Sequence, residues 1–229
     1  MISFITLTNT GYIDYTLNCL KSLEKINNNV LPNCYCIGKD GYNILLSKGY
    51  NTFLIDQEEN SNFQKFRTGN WSNITVNKFK IIYDNLLNNE YVLFTDGDIV
   101  YENNEFINYL LKNIGNNDML IQNDTMNDKN NSNLCSGFMF IKSNEKTINL
   151  FNPKNTDNKK NKQGWGDQIY INEIKNKLKF KTLPLHLFPN GQYYYNNYNK
   201  IKPYIIHFNW IVGNEKKNKM ISFSKWYLN

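Results

Sequence analysis

Histidine is scarce in this sequence, two residues in 229, and the four cysteines Cys19, Cys34, Cys36 and Cys135 include no C-x-x-C pair. A zinc centre is therefore not expected. Cys34 and Cys36, two apart in an extended segment, read as small core residues on one face. No apolar run approaches the roughly 20 residues that cross a bilayer. The N-terminal Met1-Ile2-Ser3-Phe4-Ile5-Thr6-Leu7-Thr8 lacks the basic segment and long apolar core of a signal peptide. The expectation is a cytoplasmic protein in a reducing compartment, with no integral membrane segment. A basic stripe interleaved with stacking aromatics is missing too. The net charge is +6, yet the lysines gather only at Lys159-Lys160-Lys162 and Lys216-Lys217-Lys219. Nucleic acid is not the expected partner, and the first lysine group reads as a solvated loop. No internal repeat is present.

What is present excludes disorder: hydrophobic residues make up 41% of the chain and aromatics 15%, enough for a core. Asparagine and lysine occur throughout, helical segments included, which reads as the drift of an AT-rich microbial or viral genome. The length suits one domain over residues 1–229. A strand at 2–7 leads into a helix at 12–26, where Ile13, Leu17, Leu20, Leu23 and Ile26 recur at helical spacing. A strand at 33–37, a helix at 42–48 and a strand at 50–55 repeat the alternation, so the expected fold is α/β, a mostly parallel sheet flanked by helices. After a polar segment, Ser72 or Asn73 caps a helix with Phe79, Ile82 and Leu86 on one face. A strand follows from Tyr91, then a helix at 105–113 and a strand at 119–122. The loop holding Asp124 and Asp128 is expected to be mobile, before a strand at 137–141. Residues 152–164 read as an exposed insertion. Beyond them come a helix opening at Trp165-Gly166-Asp167-Gln168 and strands at 179–184 and 204–210.

Tyr91-Val92-Leu93-Phe94-Thr95-Asp96-Gly97-Asp98 delivers two carboxylates, one glycine apart, to the end of an apolar run. Two such charges at the dry end of a buried strand shift toward protonation unless a cation compensates them, and a divalent metal is a natural compensator. Ligands of open α/β sheets gather at the carboxyl ends of such strands. Aspartates there also serve as plain turn formers, and Gly97 permits the turn. His207 ends another apolar strand, either as a satisfied core side chain or as a ligand. Two carboxylates and a neutral imidazole make a mixed oxygen and nitrogen set suited to manganese. Gly213, Lys216 and Lys219 read as a diphosphate-binding turn or as a solvated helix face.

Four segments in this order carry a resemblance over most of the chain: Phe94–Tyr101, Ser136-Gly137-Phe138-Met139-Phe140, Gly166–Asn172 and His207-Phe208-Asn209-Trp210-Ile211-Val212-Gly213. Together they resemble the nucleotide-diphospho-sugar transferases of the metal-dependent, retaining kind. The resemblance implies a GT-A fold with a nucleotide-binding half at 1–101 and an acceptor-facing half at 102–229. It implies Mn2+ or Mg2+ on Asp98 and His207, with Asp96 meeting the metal and the ribose. It places Thr8 and Asn9 near the nucleobase, Lys78 near the donor phosphates, and Asp167 and Gln168 beside the donor sugar. In terms of structure alone, Lys78 is an exposed helix residue and Asp167 a carboxylate favoured at a helix N-terminus. Trp165, Trp210 and Tyr193-Tyr194-Tyr195 are either sugar-stacking or packing aromatics. The acceptor loops of relatives are usually longer, so the acceptor site is expected to be minimal or shared with a partner, a homo-oligomer included.

The activity so implied is transfer of a sugar from a nucleotide sugar, UDP-linked, to a glycan or other hydroxyl acceptor. Two rivals stand beside it. Asp96-Gly97-Asp98-Ile99-Val100 also fits the D-x-D-x-V pattern of haloacid-dehalogenase-type phosphatases, with Asp96 as nucleophile. That motif normally opens its domain, whereas two or three α/β units precede it here. The other rival is a binder of nucleotide sugars or glycans without turnover.

Overall fold

The computed structural model describes residues 1–26, 30–65, 67–159 and 162–228. Lys160 of the first lysine group lies outside the described residues. Strands β1 (Ile2–Asn9), β2 (Asn33–Ile37), β3 (Thr52–Ile55) and β4 (Tyr91–Asp96) alternate with helices α1 (Ile13–Lys25), α2 (Lys39–Ser47) and α3 (Trp71–Leu86). Strand β5 (Ile99–Tyr101) and helix α4 (Phe106–Ile114) lead to β6 (Met119–Asn123), β7 (Leu134–Lys142) and helix α5 (Glu145–Phe151). Helix α6 (Asp167–Ile174), β8 (Phe180–Leu183), α7 (Gly191–Asn197), β9 (Ile205–His207) and α8 (Asn214–Ser222) complete the order.

The seven-stranded sheet runs β3-β2-β1-β4-β7-β6-β8. Neighbours pair in parallel except at β7, which is antiparallel to both β4 and β6. Strand β4 is therefore interior, which is why Val92, Leu93 and Phe94 are apolar in succession rather than alternating. Val92 and Phe94 pack with Phe79, Ile82, Phe151 and Tyr170 on one face. Leu93 joins Phe106, Leu110 and Phe140 on the other. Each such side chain contributes about 1.5–3 kcal/mol by leaving water, so the strand that ends at Asp96 is held from both sides.

A separate ribbon pairs β5 with β9 in antiparallel register, Ile99 opposite His207. This pairing carries the end of a late strand to the turn after β4. The strand expected at 204–210 stops at His207; beyond it the chain is irregular, and Trp210 takes a φ of 69°.

Two short helices escaped the periodicity reading. Helix α5 starts at a capping box formed by Asn144 and Thr147, and the Asn190 side chain caps α7. The 152–164 connection is mostly exposed as expected, although Thr156 is buried beside α3. The loop expected to be mobile carries a network of its own hydrogen bonds. Asn123 donates to the carbonyls of Asn127 and Asn130, whose own side chains accept from Lys129 and Ser132 N–H groups. Asparagine is placed to do this because its short amide mimics a backbone turn. Among the described residues no helix is long and apolar enough to cross a membrane.

Candidate active site

The turn between β4 and β5 presses against α1, and a β-carbon on Gly97 would collide with the Thr16 hydroxyl. Space, rather than a left-handed φ, requires glycine here. The turn aims Asp98 inward, where it is 5% exposed. One Asp98 oxygen faces His207 Nε2 at 3.2 Å; the other accepts from Lys216 of α8 and from the Tyr12 hydroxyl at 3.3 Å. Lys216 also donates to Tyr12 Oη at 2.6 Å. Burial would raise the Asp98 carboxyl, but the positive charges of Lys216 and His207 overcome it and hold Asp98 far below the usual carboxylate range. Burial also works against a charged His207, yet Asp98 outweighs it and raises the imidazole well above its ordinary value.

The ring is aimed by a residue that sequence reasoning missed. Gln122 of β6 is fully buried, and its amide donates to the carbonyls of Phe188 and Pro189 at 3.2 and 2.9 Å. That spends the NH2 group and leaves Oε1 against His207 Nδ1 at 2.7 Å. With Nδ1–H so engaged, Nε2 points at Asp98. The signal was one amide inside the otherwise apolar run Met119-Leu120-Ile121-Gln122.

Asp96 stands a third exposed at the floor of the site. Desolvation pushes its carboxyl up against the pull of Lys78, and Asp98 and Asp167 add to the rise. Lys78 of α3 is 5% exposed, not exposed on its helix. Its ammonium meets Asp96 at 3.0 Å, the Ser136 carbonyl at 3.4 Å, and Asp167. Those three acceptors use its three donors, so Lys78 holds carboxylates rather than phosphates in this arrangement. Burial would lower the Lys78 ammonium, but Asp167 and Asp96 reverse that and raise it. Asp167 opens α6, as a helix N-terminal carboxylate should, and also accepts from Ser136 Oγ at 2.7 Å. Burial opposes its charge, Lys78 overcomes this, and its carboxyl is lowered.

Asp124, which the sequence places only in a loop, is the second residue whose role at the site was not foreseen. Its Oδ2 accepts from Gln168 at 2.9 Å and Asn133 at 3.0 Å; its Oδ1 accepts from Asn209 and Trp210 Nε1, each at 3.0 Å. It thereby ties the loop after β6 to α6 and to the segment after β9.

These groups line one cavity of about 570 Å³, within the range of small-molecule sites. Thr8, Asn9, Lys78, Asp96, Gly97, Asp98, Asp167, Gln168, His207, Gly213 and Lys216 all contribute to it. Thr8 accepts from Thr16, and Asn9 donates to the carbonyls of Asn60 and Asn62, tying the end of β1 to the loop after β3. Lys219 does not line the cavity; its ammonium lies over the rings of Tyr195 and Phe223 at 5.1 and 5.3 Å. Of the aromatics considered for stacking, Trp165 is buried against Phe79 and Tyr170, and Tyr194 and Tyr195 pack on Phe208 and Phe223. Trp210 is at the cavity and 56% exposed.

Asp96, Asp98 and His207 offer ligand atoms that all lie within 4.8 Å of one another. A β-carbon on Gly137 of β7 would run into the His207 ring and come within 2.7 Å of Asp96 Oδ2. Glycine at that point keeps the space between the ligands open. Two carboxylates and an imidazole with open space beside them fit a divalent cation of the manganese or magnesium type.

A model of the nucleotide-diphospho-sugar transferase family matches residues 36–221. The chain belongs to that family. It is similar, at 26% identity over 278 aligned residues, to the UDP-galactose:fucoside alpha-3-galactosyltransferase of Dictyostelium discoideum. The alignment takes in 98% of the chain and 43% of that relative, so the chain spans less than half of the relative's length. Its fold is that of the solved glycosyltransferase GlyE of Streptococcus pneumoniae TIGR4, with a TM-score of 0.60 at 14% identity over 99% of this chain and 66% of that one. The same holds for a glycosyltransferase involved in glycosylation of the major capsid of PBCV-1, with a TM-score of 0.60 at 11% identity over 96% and 98%. The chain therefore has the expected GT-A fold, and the phosphatase reading of Asp96 and Asp98 is not favoured.

Proposed function

We propose that this transferase moves a hexose from a UDP-sugar to a hydroxyl of a glycan, with retention of configuration and with manganese held by Asp96, Asp98 and His207. The observation that carries the reading is the trio of ligands facing one cavity, with Thr8 and Asn9 lining it as well as Asp167 and Gln168. Residues 1–101 supply the nucleotide side and 102–229 the acceptor side, although His207 and Lys216 reach back from the second half to Asp98. The named relative makes UDP-galactose the first donor to test and a fucoside the first acceptor.

Asp96, Asp98 and His207 would hold a divalent cation, whose charge would offset the negative charge that grows on the departing diphosphate. The chain's own part is positioning. Gln122 fixes the His207 ring, and Lys78 fixes Asp96 and Asp167. Lys216, beside Asp98, brings a second positive charge to the phosphate end of the cavity. Asp167 is held by Lys78 and Ser136, and its neighbour Gln168 carries an amide, a poor nucleophile. A covalent glycosyl intermediate on these residues is accordingly disfavoured. In the same-face route the anomeric C–O bond to phosphate breaks while the acceptor oxygen bonds to the anomeric carbon from that face. The departing phosphate oxygen takes the hydroxyl proton.

The test is a panel of nucleotide sugars, with and without Mn2+, read as released nucleoside diphosphate. We expect Mn2+-dependent release of UDP from UDP-galactose, and a loss of at least about 100-fold in Asp98→Ala, on the scale of a removed transition-state stabiliser. Full activity in a folded Asp98→Ala protein rejects the assignment. Tight UDP binding with Mn2+ but no release over a broad acceptor panel identifies a binder instead.

A further inference from the structure

We infer that Trp210 is a stacking platform for a pyranose ring of the acceptor, fixed in place by Asp124. Trp210 has a φ of 69°, a left-handed conformation that bulky side chains rarely adopt. An outlier of this kind persists only where its surroundings over-determine it. Here the determinants are visible: the indole Nε1–H donates to Asp124 Oδ1 at 3.0 Å, and the preceding Asn209 donates to the same oxygen at 3.0 Å. The anchored edge leaves the residue 56% exposed at the wall of the cavity. A large aromatic surface held open at the cavity wall, with its edge tied down by Asp124, is not explained by packing.

Chemistry selects the occupant. Indole is a broad apolar plate with a polar edge, and a pyranose has an apolar face of C–H groups with hydroxyls at its rim. Asp124 also selects the place. Its two oxygens hold Trp210 on one side and Gln168, at 2.9 Å, on the other. The plate is thus fixed next to Gln168, the residue the family resemblance sets beside the donor sugar, so a ring stacked on it lies beside the proposed donor-sugar side of the cavity. This inference rests on the sugar-transfer reading for the word acceptor, while the stacking site stands on Trp210 and Asp124 alone.

The experiment is saturation-transfer NMR on the full chain with UDP and Mn2+ present, using methyl α-L-fucopyranoside and a set of methyl hexopyranosides and disaccharides as probes. The expected result is saturation of the C–H face of at least one probe. Its affinity should fall at least tenfold in Trp210→Ala and stay within about threefold in Trp210→Phe, which keeps a ring. Thermal midpoints and UDP affinity serve as controls for the fold. Binding of no pyranoside by the wild type overturns the inference, as does equal affinity in a folded Trp210→Ala. A wild type that binds pyranosides through Trp210 yet releases no UDP from any donor supports the platform and rejects the transfer reaction. UDP release with Trp210-independent acceptor binding does the reverse.

Discussion

Lys78 sits under the ring of Phe94, its ammonium 4.4 Å from the centroid, between Asp96, which is a third exposed, and the buried Asp167. Removing such a cation leaves charges buried without compensation. Lys78→Met should therefore destabilise the fold by about 3–5 kcal/mol, read as a lowered urea midpoint, and adding Asp167→Asn should recover part of the loss. Gly137 makes the complementary case, since it contributes by what it lacks. Resemblance brought Lys78 into view and charge brought Asp96 and Asp98. Gln122 and Asp124 stayed hidden because their importance lies in partners 85 residues or so away. For Gln122 the sequence trace is a lone polar residue in an apolar strand; Asp124, in the loop after β6, leaves no such trace.

At the scale of elements, the termini of β6, β8 and α5 converge on Asp118, which precedes the β6 strand. Its carboxylate accepts from Lys146 at 2.8 Å, the Lys179 backbone N–H at 2.8 Å and the Asn144 amide at 3.1 Å. Burial pulls its carboxyl upward, but the hydrogen bond to Lys146 and the other donors prevail and lower it. A lowered carboxyl stabilises the fold above its unfolded value of about 4 and loses that contribution as pH falls through the lower folded value. Stability measured by denaturant should thus decline on acidification below about pH 4. Asp118→Asn should start roughly 1–3 kcal/mol lower at neutral pH and show a shallower acid limb. The long elements were legible from periodicity. Helices α5 and α7 were not, because seven residues give barely two turns of pattern and their starts are marked by asparagine caps in an asparagine-rich chain.

At the scale of the whole molecule, the last described residues fold back on the first helix. Asn18 of α1 is fully buried; it donates to the Lys225 carbonyl at 3.0 Å and accepts from the Tyr227 N–H at 2.6 Å. Lys225 pairs with Glu102, just past β5, at 2.5 Å. Asn18→Ala should release this segment, read as faster tryptic cleavage after Lys225 and faster amide exchange there, while the sheet keeps its protection. The α/β class followed from the alternation of elements, and the GT-A resemblance from four ordered segments. The meeting of β5 with β9 did not, since nothing local specifies an antiparallel pair so distant in the chain.

That pairing has a consequence for how the protein is made. Lys78 precedes Asp96 by 18 residues, whereas Lys216 follows Asp98 by 118. As the chain leaves the ribosome, Asp96 has its counter-charge from the outset, and Asp98 has neither His207 nor Lys216 until nearly all of the described chain has been synthesised. The sheet is able to condense early, domain-like, around β1 and β4. The trio proposed to hold the metal is among the last features of the protein to come into existence, and a nascent chain paused before β9 carries Asp96 and Asp98 but not yet the third ligand.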